Sequence, residues 1–390
     1  KVEKTNILKA LSSGWLAKGA YVEKLEKRIC QVLKSKYSIS VNNGTNAMLL
    51  ILMHLGIKRN DEIIVPSLCY VSPIHMIKLI GAVPIVTDVD LETFQINYNK
   101  IEKRISKKTK AILMIHNYGG LCNCEKIHKI ALKYNLTIIE DFSESLLSRF
   151  DNKFLGGQQK NSKLKIISFS SLHATKSLTT GEGGIITTNS KKTCLNIKNL
   201  RDHGVNKFKT YHYNQIGGNF RLSNILAAIG YSQLSRVNQI IKKKREINNL
   251  YIKNLKNIEG IKLQKDLIES DPIKWGFPVR LHNSFYVKKW ESVSSWEPKL
   301  GMIQKGYIAD ILVVDGSPAE NFRYLYPFGA IMMEEETEEM YRTKGIIHTI
   351  KDGVVFENDN LMREVERIVK ESKENAGPDV VTDPFKLDNR

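Results

Sequence analysis

The pattern of this sequence predicts an α/β fold, a mostly parallel sheet covered by helices on both faces with a β-rich segment appended at the C-terminus. Three observations carry that expectation. Short apolar runs rich in Ile and Val recur through the first 190 residues, several of them separated by stretches of helical periodicity. A long helical pattern over residues 223–256 closes this part. Near residue 281 the character changes: residues 281–390 hold 14 Lys and Arg against 20 Asp and Glu, which leaves +24 of formal charge on the first 280.

In chain order, Val22, Leu25, Ile29, Val32 and Leu33 give residues 19–37 the spacing of an amphipathic helix. Residues 38–41 read as a strand that leads through Asn43-Gly44-Thr45 into a helix over 46–55. Further strands are expected at 63–66, 83–87, 111–116 and 137–141, with 165–170 and 184–188 flanking a lysine motif. The 223–256 helix offers Leu226, Ile229, Leu234, Val237 and Ile240 to a neighbour. Residues 290–300 read as a junction. Beyond it come short β segments with Asp-Gly turns, such as Ile350-Lys351-Asp352-Gly353-Val354-Val355.

An apolar content of 42 % excludes a disordered chain. The basic body suits nucleic acid, an anionic membrane surface or phosphorylated substrates. Its lysines are scattered along polar helix faces with no aromatic-interleaved stripe, so no nucleic-acid partner is expected. No apolar run approaches membrane-spanning length and no signal peptide is visible, so no membrane partner is expected either. The five cysteines, Cys30, Cys69, Cys122, Cys124 and Cys194, form no disulfide framework and fit a reducing, cytoplasmic compartment. Cys122-Asn123-Cys124 has no second Cys or His pair at ligand spacing and reads as incidental, with no metal expected. The chain starts at Lys1 rather than Met, which suggests that the native N-terminus is missing.

The stretch richest in chemistry is Ser171-Leu172-His173-Ala174-Thr175-Lys176, followed by Gly181-Glu182-Gly183-Gly184. A lysine between a strand and a glycine-rich turn, with Asp141 ending an apolar run 35 residues upstream, is what pyridoxal 5′-phosphate chemistry requires. The lysine would hold the cofactor as a Schiff base, and the aspartate would pair with its pyridine nitrogen. Gly44-Thr45, between a strand and a helix, could present N–H groups and a hydroxyl to a phosphate, or could be an ordinary capped turn. Tyr70 follows a strand end and could stack on a flat ring or sit in the core. Glu182 and its glycines are not a P-loop, because the lysine precedes them.

Together these positions resemble the DegT family of PLP-dependent sugar aminotransferases, of fold type I, over residues 11–281. The matches are Ser13-Gly14-Trp15, Asn43-Gly44-Thr45-Asn46-Ala47, Asp61-Glu62-Ile63-Ile64-Val65-Pro66-Ser67, Thr109-Lys110-Ala111-Ile112, Ile139-Glu140-Asp141, the lysine motif, and Gly218-Asn219-Phe220-Arg221-Leu222-Ser223-Asn224. The resemblance implies Lys176 and Asp141 as catalytic residues and Gly44, Thr45 and Ser171 as the phosphate cradle. It puts Tyr70 on the ring face and Glu144 where Gln or His often stands near the cofactor's 3-oxygen. Asn219 is similar to an asparagine lent by the neighbouring subunit of a homodimer. The implied reaction moves an amine from an amino acid, glutamate by family habit, to a keto sugar on a nucleotide diphosphate. Lys176 argues against the family's dehydratase branch, which has histidine there.

The resemblance implies a large domain over 1–257 and the start of a small domain over 258–290. Residues 271–281 look like that domain's first strand, after which the likeness stops and the domain reads as truncated. Residues 296–356 instead resemble the C-terminal β segment of an amidohydrolase, within a segment 291–390 that lacks catalytic residues. No His-x-His occurs and there is no room for a barrel. The chain therefore reads as a chimera. Its alternatives to an active aminotransferase are an inactive PLP-binding chimera and a metal-dependent amidohydrolase.

Overall fold

A computed structural model of the 390-residue chain describes Val2–Leu281, apart from residues 159–160, 162, 206–212, 214 and 259–260, and beyond these only five strands between Ile311 and Glu357. The chain divides into two compact units, Lys1–Val287 and Lys288–Arg390.

Unit one begins with helices α1 (Val2–Ser12) and α2 (Ala20–Leu33). The amphipathic pattern expected to 37 stops earlier because Lys34 turns into the left-handed region, φ 59°. Strand β1 (Tyr37–Val41) feeds α3 (Gly44–His54), and β2 (Glu62–Pro66), α4 (Ser72–Leu79) and β3 (Val83–Thr87) follow. A single helical turn, α5 (Tyr98–Ile101), precedes β4 (Thr109–Ile115), α6 (Cys124–Lys133) and β5 (Thr137–Asp141). A small hairpin, β6 (Arg149–Phe150) and β7 (Lys153–Phe154), leads to β8 (Ile166–Ser171), β9 (Gly184–Thr188) and α7 (Lys191–Arg201). The sheet order is β1-β9-β8-β5-β4-β2-β3. All five strands from β3 to β8 in that order run parallel, and only β9 opposes its neighbours.

Apart from the edge strand β3, which is partly exposed, these strands are buried on both faces, which is why they read as continuous apolar runs rather than alternating ones. Side-chain alternation divides them between two cores. Ile64, Ile112, Met114 and Ile138 face the layer of α1, α2, α6 and α8, the last of these described below. Ile63, Val65, Leu113 and Ile139 face α3, α4 and α7. Burying each such side chain stabilises the fold by about 1.5–3 kcal/mol. A buried ionic knot ties the edge: Glu26 of α2 accepts from Ser40 N–H (2.9 Å), Arg201 (2.8 Å) and Lys198 (3.0 Å).

The helix expected over 223–256 is two, α8 (Asn224–Leu234) and α9 (Val237–Leu255). The break follows from serines competing for backbone acceptors. Ser232 Oγ donates to Ala228 O and Ser235 Oγ to Ser232 O, both at 2.7 Å, and the last turn tightens through Ser235 N–H to Ser232 O. The single strand expected over 271–281 is also divided. β11 (Ser270–Asp271) pairs with β6, β12 (Val279–Leu281) pairs with β10 (Ile261–Leu263), and an irregular strap lies between β11 and β12.

In unit two, β13 (Ile311–Val314), β16 (Ile346–Lys351) and β17 (Val354–Glu357) form an antiparallel sheet, and β14 (Ile331–Met333) pairs with β15 (Met340–Arg342). Lys351 stands opposite Val354, the register a two-residue Asp-Gly connection predicts. The junction expected at 290–300 lies outside the described residues.

Candidate active site

The site grows from the carboxyl ends of β5 and β8, where ligand crevices form in α/β sheets. Successive side chains on β5 alternate, so Glu140 and Asp141 leave the strand in opposite directions. Asp141 is buried, and its Oδ1 accepts the Ser143 N–H at 2.9 Å. Ser143 Oγ accepts the Ser171 N–H at 2.8 Å and so joins the two strand ends. Burial pushes the Asp141 carboxyl up; the Ser143 hydrogen bonds oppose that, Glu144 adds to it and Lys176 opposes it.

Beyond β8 the chain makes a tight loop, with Lys176 N–H bonded to His173 O and Thr180 N–H to Leu172 O, both at 2.9 Å. The loop delivers Lys176 Nζ to within 3.2 Å of Glu144 Oε1. Glu144 Oε2 accepts the Tyr118 N–H at 2.7 Å. Tyr118 presents that N–H from φ 59°, an uncommon conformation for an aromatic residue. The Trp275 ring centroid is 4.0 Å from the same Nζ.

Gly44 opens α3 behind the Asn43 cap, whose Oδ1 accepts the Asn46 N–H at 2.8 Å. A Cβ on Gly44 would lie 2.9 Å from Ser171 Cβ, so only glycine lets the helix N-terminus approach β8 this closely. Thr45 Oγ1 bonds Ser72 Oγ at 3.1 Å, tying α3 to α4. Tyr70, at 75 % exposure, is a surface residue and not part of the core. Its neighbour Cys69 has its thiol pushed up to about 11 by burial and by the Asp141 charge. Asn219 is exposed and pairs with Asp202 through an isolated antiparallel bridge.

The structure thus links Asp141, Glu144, Ser171 and Lys176, sets Gly44 against Ser171 with Thr45 beside it bonded to Ser72, and leaves Tyr70 and Asn219 at the surface. Tyr118 and Trp275 were missed. The Gly119-Gly120 pair after β4 was the available signal for the first, since glycines at a strand's carboxyl end mark close approach. A second buried set, His116, Cys124 and Glu140, brings possible ligand atoms within 4.8 Å of one another. His116 Nδ1 accepts the Cys122 N–H (3.0 Å) and Glu140 Oε2 the Gly156 N–H (2.9 Å), while the other two atoms, His116 Nε2 and Glu140 Oε1, face each other at 3.5 Å. Asn123, between the two cysteines, is the N-cap of α6.

A seven-stranded sheet with one reversed strand, a lysine on the loop after β8 and a buried aspartate ending β5 define an aminotransferase-like protein. The chain belongs to the DegT/DnrJ/EryC1/StrS aminotransferase family, whose sequence profile matches residues 1–298. It is 37 % identical over 270 residues to the GDP-perosamine synthase of Escherichia coli O157:H7, covering 69 % of this chain and 72 % of that one. Against the GDP-perosamine synthase of Vibrio cholerae it is 34 % identical over 245 residues, 62 % of this chain and 64 % of the relative. Among solved structures, Helicobacter pylori PseC, an aminotransferase involved in pseudoaminic acid biosynthesis, superposes with TM-score 0.68 at 28 % identity, covering 75 % of this chain and 79 % of PseC. Streptomyces venezuelae DesV in complex with a ketimine intermediate gives 0.68 at 25 % identity over 72 % and 74 %.

The cofactor is pyridoxal 5′-phosphate, and the residues present fit it. Asp141 is a buried carboxyl that burial pushes up, the kind of group a protonated ring nitrogen would partner, and the close approach at Gly44 sets a helix N-terminus against Ser171 at the end of β8, where backbone N–H groups suit a phosphate.

Proposed function

We propose that this chain moves an amino group from an amino acid, glutamate being the expected donor, to a keto sugar carried on a nucleotide diphosphate, in polysaccharide or glycan biosynthesis. The observation that carries this is the convergence of Lys176 Nζ, Glu144 and buried Asp141 at the ends of β5 and β8. Likeness above 30 % to two GDP-perosamine synthases favours a GDP-linked acceptor.

When bound, pyridoxal phosphate supplies an electron-withdrawing ring that stabilises negative charge on the carbon bearing the amine. Lys176 would hold it covalently and then, as a free amine, take and return the proton at Nζ. Asp141 would keep the ring nitrogen charged, and Gly44, Thr45 and Ser171 would bind the phosphate. Tyr70 would cover the ring, and Glu144 would lie near the 3-oxygen. Exposed Asn219, with Trp15 and Ile216 also exposed, suits a homodimer in which Asn219 reaches the neighbouring site. Five free cysteines suit a cytoplasmic enzyme. The matching domain assignment is 1–257 for the large domain, 258–290 for the small-domain start, and 291–390 for a segment without site residues.

Absorption spectra with pyridoxal phosphate, before and after glutamate, test this beside a Lys176→Ala variant. A visible band that needs Lys176 and bleaches with glutamate is expected. No band in the wild-type chain would identify a cofactor site disabled by the C-terminal join.

A further inference from the structure

The amine of Lys176 is touched by a residue that no motif announces. Trp275 sits on the strap between β11 and β12, outside the sheet. Its indole N–H donates to the Thr175 carbonyl at 2.7 Å, which fixes the ring against the residue just before the lysine. Nζ lies 4.0 Å from the ring centroid, in the range where an ammonium is attracted to an aromatic face.

The strap cannot drift from this position. Ile273 is buried and its N–H donates to Ser148 Oγ at 2.7 Å. Lys274 is buried as well, and its Nζ donates to Asp266 Oδ1 (2.5 Å) and Gln264 Oε1 (2.8 Å). Gly276 N–H donates to the Tyr118 carbonyl at 3.2 Å. Gly119, at φ 94°, lies so near that a Cβ would meet Lys274 Cα at 2.4 Å. The backbone that carries Trp275 is therefore locked to the same Tyr118-Gly119 turn whose N–H holds Glu144.

One turn thus fixes both contacts of the amine, a carboxylate at 3.2 Å and an aromatic face at 4.0 Å. Lysine is a flexible four-carbon stem with a compact charge, and without such contacts its amine would sample many orientations. Glu144 alone fixes one distance; the indole removes the remaining swing.

We propose that Trp275 is a positioning residue for Lys176, its indole face holding the amine at Glu144 so that it meets the aldehyde carbon of the cofactor from one direction. This rests on the reading of Lys176 as the cofactor lysine. The residue comes from the segment after α9, so the site is completed from outside the large domain.

The test is capture of pyridoxal phosphate on Lys176, trapped by borohydride at short times and located by peptide mass spectrometry, together with kcat and KM for glutamate. Trp275→Leu keeps apolar bulk and loses the π face. It is expected to slow trapping at Lys176 by about tenfold, with surface lysines labelled as before and kcat falling more than KM changes. Trp275→Phe restores a ring and is expected to recover trapping to within about threefold of wild type. Wild-type trapping in Trp275→Leu, or a Trp275→Phe variant as slow as Trp275→Leu, overturns the proposal. No trapping at Lys176 in the unaltered chain would instead overturn the cofactor assignment beneath it.

Discussion

At the scale of single residues, Asp141 carries a cost that the role proposed for it would explain. Burial holds its carboxyl above the ordinary range in the cofactor-free chain. A raised carboxyl means the folded state binds the proton more tightly, so stability falls as pH rises from the unfolded value, about 3.9, through the folded one. Asp141→Asn is expected to raise the Tm of the cofactor-free chain, by about 1 kcal/mol of stability, while abolishing the glutamate half-reaction. Calorimetry of the cofactor-free protein and single-turnover spectra check the two halves separately, and an unchanged or lowered Tm would contradict the account. Asp141 and Lys176 were legible in the sequence because each is fixed by a local pattern, a strand end and the loop after it. The partner of Glu144 was not legible, since a backbone N–H has no letter and depends on Tyr118 at φ 59°.

At the scale of elements, α2, β1 and α7 meet at Glu26. Burial alone would raise its carboxyl, but Arg201 and Lys198, aided by the Ser40 N–H, hold it below the ordinary range. The stabilisation is therefore complete above the unfolded value, about 4.3, and is lost as pH falls through the folded one. Glu26→Gln leaves Arg201 and Lys198 without their anion and is expected to cost about 3 kcal/mol in urea unfolding at neutral pH, with a smaller loss in acid. A second element-scale case is the Tyr118-Gly119 turn. Gly119→Ala would drive a methyl into Lys274 from a backbone conformation alanine avoids, and so displace the strap. Lys176 trapping should slow with little change in the far-ultraviolet spectrum. Strand positions were read closely from apolar runs, because burial on both faces leaves no alternation to misread. The α8–α9 break was missed: two serine hydroxyls near a helix end act through acceptors that periodicity does not register.

At the scale of the whole molecule, the excess charge of the first 280 residues, +24, should draw a nucleotide diphosphate toward the enzyme by its field. The KM for a GDP-linked keto sugar is then expected to rise severalfold between about 0.05 M and about 0.5 M salt, where the Debye length shrinks from roughly 14 Å to 4 Å, while the KM for glutamate moves less. Equal salt responses for the two substrates would remove the role given to the field. The family match to residue 298 extends past 271–281, the last segment in which the sequence showed the likeness. Among the described residues no helix is long and apolar enough to cross a membrane. The contact between Trp275 and Thr175 spans 100 residues of chain, and that separation has a meaning during synthesis. At about 5–20 residues per second, Lys176 leaves the ribosome roughly 5–20 s before its indole wall has been made. A nascent chain therefore carries the lysine well before the indole that contacts it has been made.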